Sequence, residues 1–239
     1  DALHKSYLNR FLMEIVDEPY LSHAFLFKGG TCASMLGFLD RFSVDLDFDV
    51  SKNTERSSIR EKMYAIADHL GLTARMKKAD TALLFQIRYP SVPHKRNTIK
   101  ISVNTLICKA NQYTVQYFPE IDRLMNSQTI ETMFANKLVA VTDRYVSHRT
   151  IAGRDIYDIH YFFLHGYAYT PAVILERTGL SVVEYFEKLA LFIKTHVTQT
   201  RINEDLNTLL PNDQFQAIRK VLLPETLHFL EREQMTARS

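Results

Sequence analysis

Residues 24–50 read AFLFKGGTCASMLGFLDRFSVDLDFDV, and this stretch decides the fold of the chain. Its first four residues form a short apolar run, which predicts a buried strand that stops at a Lys-Gly-Gly-Thr turn. We expect a short helix after the turn, ending near Gly37. Residues 43–50 then alternate between apolar and polar side chains, which predicts a second strand with one buried face.

The polar face of this second strand carries three aspartates, Asp45, Asp47 and Asp49. Strands disfavour aspartate, so three in succession require a physical reason. Carboxylates two residues apart project to the same face, with Cα atoms roughly 6.5–7 Å apart, and they resist joint ionisation unless a cation lies between them. Aspartate oxygens suit Mg²⁺ or Mn²⁺. Asp45 and Asp47 are therefore the predicted metal ligands and catalytic residues.

The glycine turn supplies a second part of this candidate site. Gly29 and Gly30 have no Cβ, so their backbone N–H groups can approach phosphate oxygens closely. Thr31 is predicted at the start of the next helix, where a hydroxyl and the helix N-terminus both favour anions. A glycine pair or an Asp-x-Asp alone is ordinary, but together they predict a metal beside bound phosphates.

A second polar cluster falls in a helical part of the chain. Lys137 lies within or beside the apolar stripe of a predicted helix, and a cation there either extends along the stripe's edge or points into a cleft. Asp155 is predicted in the first turn of the next helix, where an acid is favourable. Asp158 is surrounded by apolar and aromatic residues, so its carboxylate needs a partner, with Lys137, Arg144 and Arg154 as candidates.

The two halves of the chain differ in their hydrophobic pattern. Helical spacing is clear at residues 2–16 and 55–70, and further strands are predicted at 82–89, 98–106 and 113–118. From residue 130 onward almost every segment has helical period. We therefore expect an α+β domain over residues 1–127, followed by an all-helical domain over residues 128–239.

Composition places the chain among ordinary globular proteins, with 46% hydrophobic and 23% charged residues. The net charge of +2 is too small to indicate nucleic-acid binding by itself. Cys32 and Cys108 have no metal-binding or redox spacing, which favours a reducing cytoplasm. No apolar run approaches the ~20 residues that span a bilayer, so we expect a cytoplasmic protein without a membrane partner.

The motif around the turn resembles the signature of the AbiEii/AbiGii toxin family, which comprises bacterial nucleotidyltransferases related to the DNA polymerase β superfamily. That signature is a Lys-Gly-Gly-Thr turn, a short helix, Arg-Phe-Ser and then Asp-x-Asp. The matching residues are Lys28, Gly29, Gly30, Thr31, Arg41, Phe42, Ser43, Asp45 and Asp47. Later family motifs are similar to Lys137, Asp143-Arg144 and the Arg-Asp-x-x-Asp of residues 154–158.

The resemblance implies a nucleotidyltransferase fold, with a mixed β-sheet flanked by helices and a helical C-terminal domain that completes the active-site cleft. It implies Mg²⁺- or Mn²⁺-dependent transfer of an NMP from an NTP to an acceptor hydroxyl, with an essential aspartate at Asp155 or Asp158. The nucleotide-binding residues that it implies are Lys28, Gly29, Gly30, Thr31, Ser43 and Lys137.

The resemblance also implies partners. Family members are toxins of toxin–antitoxin or phage-abortive-infection systems, and some add nucleotides to the 3′ end of tRNA. A tRNA or another RNA is therefore the implied acceptor, and a cognate antitoxin is an implied partner.

One departure from the superfamily pattern concerns the third metal-binding carboxylate, which is usually on a later strand. We expect it near Ser102, yet Ser102 and Asn104 are neutral. Either Asp49 or Asp158 substitutes for it, or a second metal is weakly held. Two alternatives stay open: a catalytically reduced module that only binds nucleotide or protein, and a metal-dependent nuclease that uses the same aspartates.

Overall fold

The computed structural model describes residues 2–51, 54–91 and 95–238, without the side chains of Lys78, His148 and Arg238. The chain divides into two compact units. The first contains the residues up to Ile107 together with Gln112–Thr129, and the second contains Cys108–Asn111 and the residues from Ile130 onward. Within the described ranges, no helix combines the length and the apolar character needed to cross a membrane.

The first unit is built on a seven-stranded mixed sheet. The strands are β1 Phe25–Lys28, β2 Asp45–Val50, β3 Thr73–Ala79, β4 Ala82–Arg88, β5 Thr98–Asn104, β6 Tyr113–Phe118 and β7 Arg123–Gln128. Their order in the sheet is β3-β4-β5-β2-β1-β7-β6. The pairs β2–β5 and β1–β7 are parallel, and the other neighbours are antiparallel. The aspartate strand β2 therefore lies at the centre of the sheet.

Helices cover the apolar face of this sheet. The helices of the first unit are α1 Ala2–Asp17, α2 Pro19–Ala24, α3 Gly29–Met35 and α4 Arg56–His69. Alternation along the strands directs Phe48 of β2 and Phe85 of β4 to one face, where both are fully buried. Helix α1 contacts β5 and β7, and α4 contacts β3. Because the opposite face of β3–β5 is largely exposed, both helices lie on the apolar face.

The α+β class is confirmed, but two strands were not predicted from the sequence. Strand β3 has the sequence TARMKKA, whose many cations weaken its apolar alternation. Strand β7 has the sequence RLMNSQ, and it buries the polar side chains of Ser127 and Gln128. Both strands form through pairing with distant neighbours, which a local hydrophobic pattern does not reveal.

The second unit is entirely helical in its described elements. These are α5 Ile130–His148, α6 Gly153–Leu164, α7 Pro171–Thr178, α8 Val182–His196, α9 Gln199–Leu206, α10 Asn212–Ile218 and α11 Leu222–Arg238. Aromatic rings fill its core. The ring of Phe134 meets those of Phe162 and Phe163 edge-on, with centroids 5.1 and 4.7 Å away, and Phe163 stacks on Phe229 at 5.6 Å.

A short segment of the chain joins this helical unit although its sequence neighbours belong to the first. The carboxylate of Glu176 on α7 accepts hydrogen bonds from the backbone N–H groups of Lys109 and Ala110, at 2.7 and 2.8 Å. These bonds lower the pKa of Glu176 below its ordinary value. They account for the grouping of residues 108–111 with the helices.

Candidate active site

The central strand β2 presents Asp45 and Asp47 side by side on one face. Both side chains are partly exposed, whereas Leu46 between them is fully buried on the other face. The neighbouring strands fix what flanks Asp47: Lys28 of β1 is its partner on one side and Ser102 of β5 on the other. The predicted pair of carboxylates therefore lies together on an open face of the sheet.

The third aspartate of the strand, Asp49, has a different environment. Its side chain is 1% exposed. Lys28 forms a salt bridge with Oδ1, and Oδ2 accepts hydrogen bonds from Tyr113 Oη at 2.7 Å and Gln128 Nε2 at 3.0 Å. A buried carboxylate with three donors is a structural anchor between strands, because most of its roughly four lone-pair sites are already engaged. These contacts argue against Asp49 as a third metal ligand.

Ser102, the neutral residue near which the third carboxylate was expected, lies on β5 beside the aspartate strand. Ser102 pairs with Asp47 and Asn104 with Asp49 in the parallel register of β5 and β2. Ser102 Oγ donates a hydrogen bond to Asn104 Oδ1 at 3.3 Å. Among the described residues, no three His, Cys, Asp or Glu side chains gather closely enough to hold a metal ion by themselves.

Close packing explains the two glycines of the turn. Gly29 has φ +80°, and a Cβ built on it would lie 2.6 Å from Asp47 Oδ2. A Cβ on Gly30 would lie 3.0 Å from both Arg41 Nη2 and Ser43 Oγ. A side chain at Gly29 would therefore be strained in its backbone and would displace the carboxylate of Asp47.

The hydroxyl of Thr31 is directed into the protein. Thr31 is 4% exposed, and its Oγ1 donates to the backbone carbonyl of Asp45 and lies 2.9 Å from Ser43 Oγ. This contact ties α3 to the first residue of β2. Thr31 and Ser43 thus hold the turn against the strand. Lys28 was also predicted to bind nucleotide, and its ammonium group forms a salt bridge with Asp49.

Two further residues support this site, although no role for either was evident from the sequence. Arg41, which belongs to the motif, is 4% exposed and donates from Nη1 to the Phe42 carbonyl at 3.1 Å. His4 is buried, with ring nitrogens 2.8 Å from Tyr89 Oη and 2.9 Å from the Val44 carbonyl. Burial lowers the pKa of His4. Its partners are 85 and 40 residues away, so no sequence spacing reveals it.

The residues predicted in the helical half form a second cluster within the second unit. Lys137 Nζ of α5 lies 2.7 Å from Asp158 Oδ2 and 3.6 Å from Asp155 Oδ1. Arg144 Nε donates to Asp155 Oδ2 at 2.9 Å. Both aspartates are at most 1% exposed, while the side chain of Lys137 is 19% exposed. Two cations and two carboxylates give this cluster no formal net charge.

Helix geometry explains why these four side chains meet. Lys137 and Arg144 are seven residues apart on α5, and Asp155 and Asp158 are three apart on α6, so each pair shares one face of its helix. At the start of α6, Gly153 donates its backbone N–H to Asp205 Oδ2 at 2.6 Å. The structure thus collects the predicted site residues into two groups, one in each unit.

Comparison with known proteins agrees with this geometry. The family model described as nucleotidyl transferase AbiEii toxin, type IV toxin–antitoxin system, matches residues 10–233. A candidate nucleotidyltransferase of Helicobacter pylori aligns with a TM-score of 0.62 and 17% identity, covering 99% of this chain and 96% of that one. JHP933 of the same species gives 0.55 and 18%, with 99% and 96% covered.

A mycobacterial structure is also similar. MenT4, a nucleotidyltransferase toxin of Mycobacterium tuberculosis, aligns with a TM-score of 0.56 and 15% identity, covering 96% of this chain and 83% of that one. At these identities the three structures establish the fold. Comparison with curated proteins gave no significant match. The family model covers nearly the whole chain and confirms the resemblance seen in the motifs, so this chain belongs to the AbiEii family of nucleotidyltransferase toxins.

Proposed function

We propose that the protein is a metal-dependent toxin that transfers an NMP from an NTP to a hydroxyl of an RNA acceptor, such as the 3′ end of a tRNA. It would act in the bacterial cytoplasm and be opposed by a cognate antitoxin. The observation that carries this proposal is the pair Asp45 and Asp47 on the open face of β2, with Gly29 packed directly against Asp47. Family membership supports the reaction class.

The residues present fit a divalent cation that binds together with its substrate. Mg²⁺ keeps several waters and is commonly held by one or two carboxylates plus substrate phosphates. Asp45 and Asp47 supply two carboxylates, while Asp49 is engaged by its own donors. Mg²⁺ or Mn²⁺ would thus be held by Asp45, Asp47 and the triphosphate. When bound, the cation neutralises charge on the transferred phosphoryl group.

The chain's own groups would position the nucleotide. The turn at Gly29 and Gly30 lets backbone N–H groups approach the phosphates, because no Cβ intervenes. We propose that Lys137, oriented by Asp158 and by the nearby Asp155, contributes an ammonium group to the triphosphate. A lysine held in this way loses less side-chain freedom when the nucleotide binds.

The proposed transfer forms a bond between the acceptor oxygen and the α-phosphorus and breaks the bond from that phosphorus to the bridging oxygen. Pyrophosphate leaves with the electron pair of the broken bond, and the ammonium group of Lys137 would stabilise its negative charge. Ser102 pairs with Asp47 and has no basic side chain to receive the hydroxyl proton. We therefore propose that this proton passes to water.

The direct test is transfer of radiolabel. Purified protein is incubated with MgCl₂, bulk tRNA and each α-labelled NTP in turn, and compared with the charge-removing, size-conserving variants Asp45→Asn and Asp47→Asn. The matched control is Asp68→Asn, an exposed aspartate of α4. We expect label on RNA with wild type and control and none with the two site variants. No label with any NTP, or equal label with Asp45→Asn, contradicts the proposal.

A second candidate function is a module that binds nucleotide without transferring it. The observation favouring it is that the β5 partners of Asp47 and Asp49, which are Ser102 and Asn104, are neutral. Calorimetry separates the two functions: NTP binding without release of pyrophosphate in the presence of tRNA indicates the module. Shortening of the RNA without added NTP indicates a nuclease instead.

A further inference from the structure

The open face of β3, β4 and β5 forms a basic surface beside the aspartate pair. Its cations are Arg75, Lys77, Arg88 and Lys100, and all four are exposed. They share one face of the sheet because strand register places their side chains on the same side as Asp45. We name these four residues the basic face.

Strand register relates the basic face, position by position, to the pair Asp45 and Asp47. One row across the sheet runs from Arg75 of β3 through Gln86 of β4 and Lys100 of β5 to Asp45 of β2. Neighbouring strands are about 4.8 Å apart, so this row spans roughly 14 Å. The basic face is therefore continuous with the carboxylates rather than a separate patch.

A second row on the same face runs beside the first. It begins at Lys77 of β3 and passes through Leu84 of β4 and Ser102 of β5 to Asp47 of β2. Arg88 lies farther along β4, between Thr73 and Thr98. The cations are thus distributed over three strands rather than gathered at one point.

The charge of this face is of one sign. The sequences of β3, β4 and β5, TARMKKA, ALLFQIR and TIKISVN, contain no acidic residue. Among the residues that the structure describes, none of the four cations forms a salt bridge. Some surface lysines and arginines elsewhere in the unit are paired, as Lys5 is with Glu120 and Arg123 with Asp17. The basic face keeps its positive charge available for an external anion.

We infer that the basic face binds the phosphate backbone of the acceptor RNA strand and guides its 3′ end to Asp45 and Asp47. Arg75 and Lys100 are two strand spacings apart, roughly 10 Å, which matches a run of about four phosphates at the 3.4 Å axial spacing of a stacked strand. Contacts with phosphates are independent of sequence, so the basic face provides affinity and register. This inference rests on the proposed function, because it places the acceptor of that reaction.

Binding without turnover tests the inference. A single-stranded oligoribonucleotide with a 5′ fluorescent label is titrated with protein in EDTA, without NTP, at several salt concentrations. The test variant is Arg75→Gln/Arg88→Gln/Lys100→Gln. The matched control is Arg60→Gln/Lys188→Gln/Lys220→Gln, which removes the same charge from exposed positions outside the basic face. Melting temperature and NTP affinity are measured to establish that both variants are folded.

We expect the slope of log affinity against log salt to fall by about 0.7 for each lost phosphate contact, hence by about two units in the test variant. The control should retain the wild-type slope. In the transfer assay, the test variant should raise KM for RNA more than it changes KM for NTP.

The result separates this inference from the proposed function. Equal RNA affinity and salt slope in the test variant and wild type overturn the inference, even if label transfer is robust. Absence of RNA binding by the wild type at low salt also overturns it. Conversely, loss of binding confined to the test variant supports the basic face even if no NTP is turned over, a failure that counts against the proposed function alone.

Discussion

Ser102 of β5 is the direct neighbour of Asp47 of β2 in the parallel register of the two strands. This is the neighbourhood in which a third metal-binding carboxylate was expected, and the side chain there is a hydroxyl. Asp49 does not compensate, because Lys28, Tyr113 and Gln128 engage its carboxylate. In the proposed metal site, Asp45 and Asp47 are therefore the two protein carboxylates, and the substrate would bring the remaining oxygens.

Restoring an acid at this position should strengthen metal binding. In EDTA, Ser102→Asp should lower stability by roughly 1 kcal/mol, because a like charge is added beside Asp47. With MgCl₂, metal affinity should rise on the order of tenfold, equivalent to about 1.4 kcal/mol. Thermal melting across a MgCl₂ titration measures both effects, with Ser102→Asn as the neutral control. Unchanged Mg²⁺ dependence contradicts a metal site at Asp47.

The close approach of Gly29 to Asp47 predicts a specific sensitivity. Gly29→Ala should reduce transfer about 100-fold, the scale found when catalytic groups are displaced by about 1 Å. Gly37→Ala is the control, because Gly37 also has positive φ (+77°) but nothing within 4 Å of a built Cβ. Transfer rates and melting temperatures of the two variants separate backbone strain from displacement of Asp47. Equal losses of activity would falsify this explanation.

The anchor role of Asp49 predicts a change in stability without a change in metal requirement. Asp49→Asn keeps the volume but leaves the Lys28 ammonium, whose side chain is 18% exposed, without its counter-charge. The expected loss is about 3 kcal/mol of unfolding free energy, as for other broken buried ion pairs. Urea unfolding measures this loss. The MgCl₂ concentration for half-maximal transfer should remain that of the wild type, and a shift would assign Asp49 to the metal.

The salt bridge between Lys137 and Asp158 predicts that a double substitution restores stability without restoring transfer activity. Lys137→Met should cost about 3 kcal/mol because it removes the ammonium from a fully buried carboxylate. The double variant Lys137→Met/Asp158→Leu should regain much of this stability, since apolar replacements of buried pairs are often tolerated. Transfer should remain absent in both if Lys137 acts on the nucleotide. Recovery of transfer in the double variant indicates a purely structural pair.

Burial of His4 predicts a loss of stability in acid. Because burial holds the pKa of folded His4 below its ordinary value of 6.5, the unfolded chain binds a proton more readily below about pH 6.5. The stability that neutral, buried His4 contributes is therefore lost as the pH falls from about 6.5 toward the pKa of His4 in the folded protein. Urea unfolding from about pH 8 to about pH 5 should show a shallower decline for His4→Gln than for wild type. An exposed-site control, His69→Gln, should keep the wild-type decline.

Local pattern predicted the strand of aspartates, the turn before α3 and the helical second half. Each of these features depends on residues close in sequence: alternation shows one buried face, and glycine marks positive φ, as at Gly29. The cluster of Lys137 with Asp155 and Asp158 was also suggested by helical spacing, although the sequence left its pairing open.

The sequence by itself therefore determined the fold class and the residue types available for chemistry. Only the tertiary structure decided that Ser102 neighbours Asp47, that Asp49 is an anchor, and that three strands form one basic face beside the carboxylates. The physical reason is strand register. A one-residue shift moves every side chain to the opposite face, and register is fixed by pairing between strands far apart in the chain.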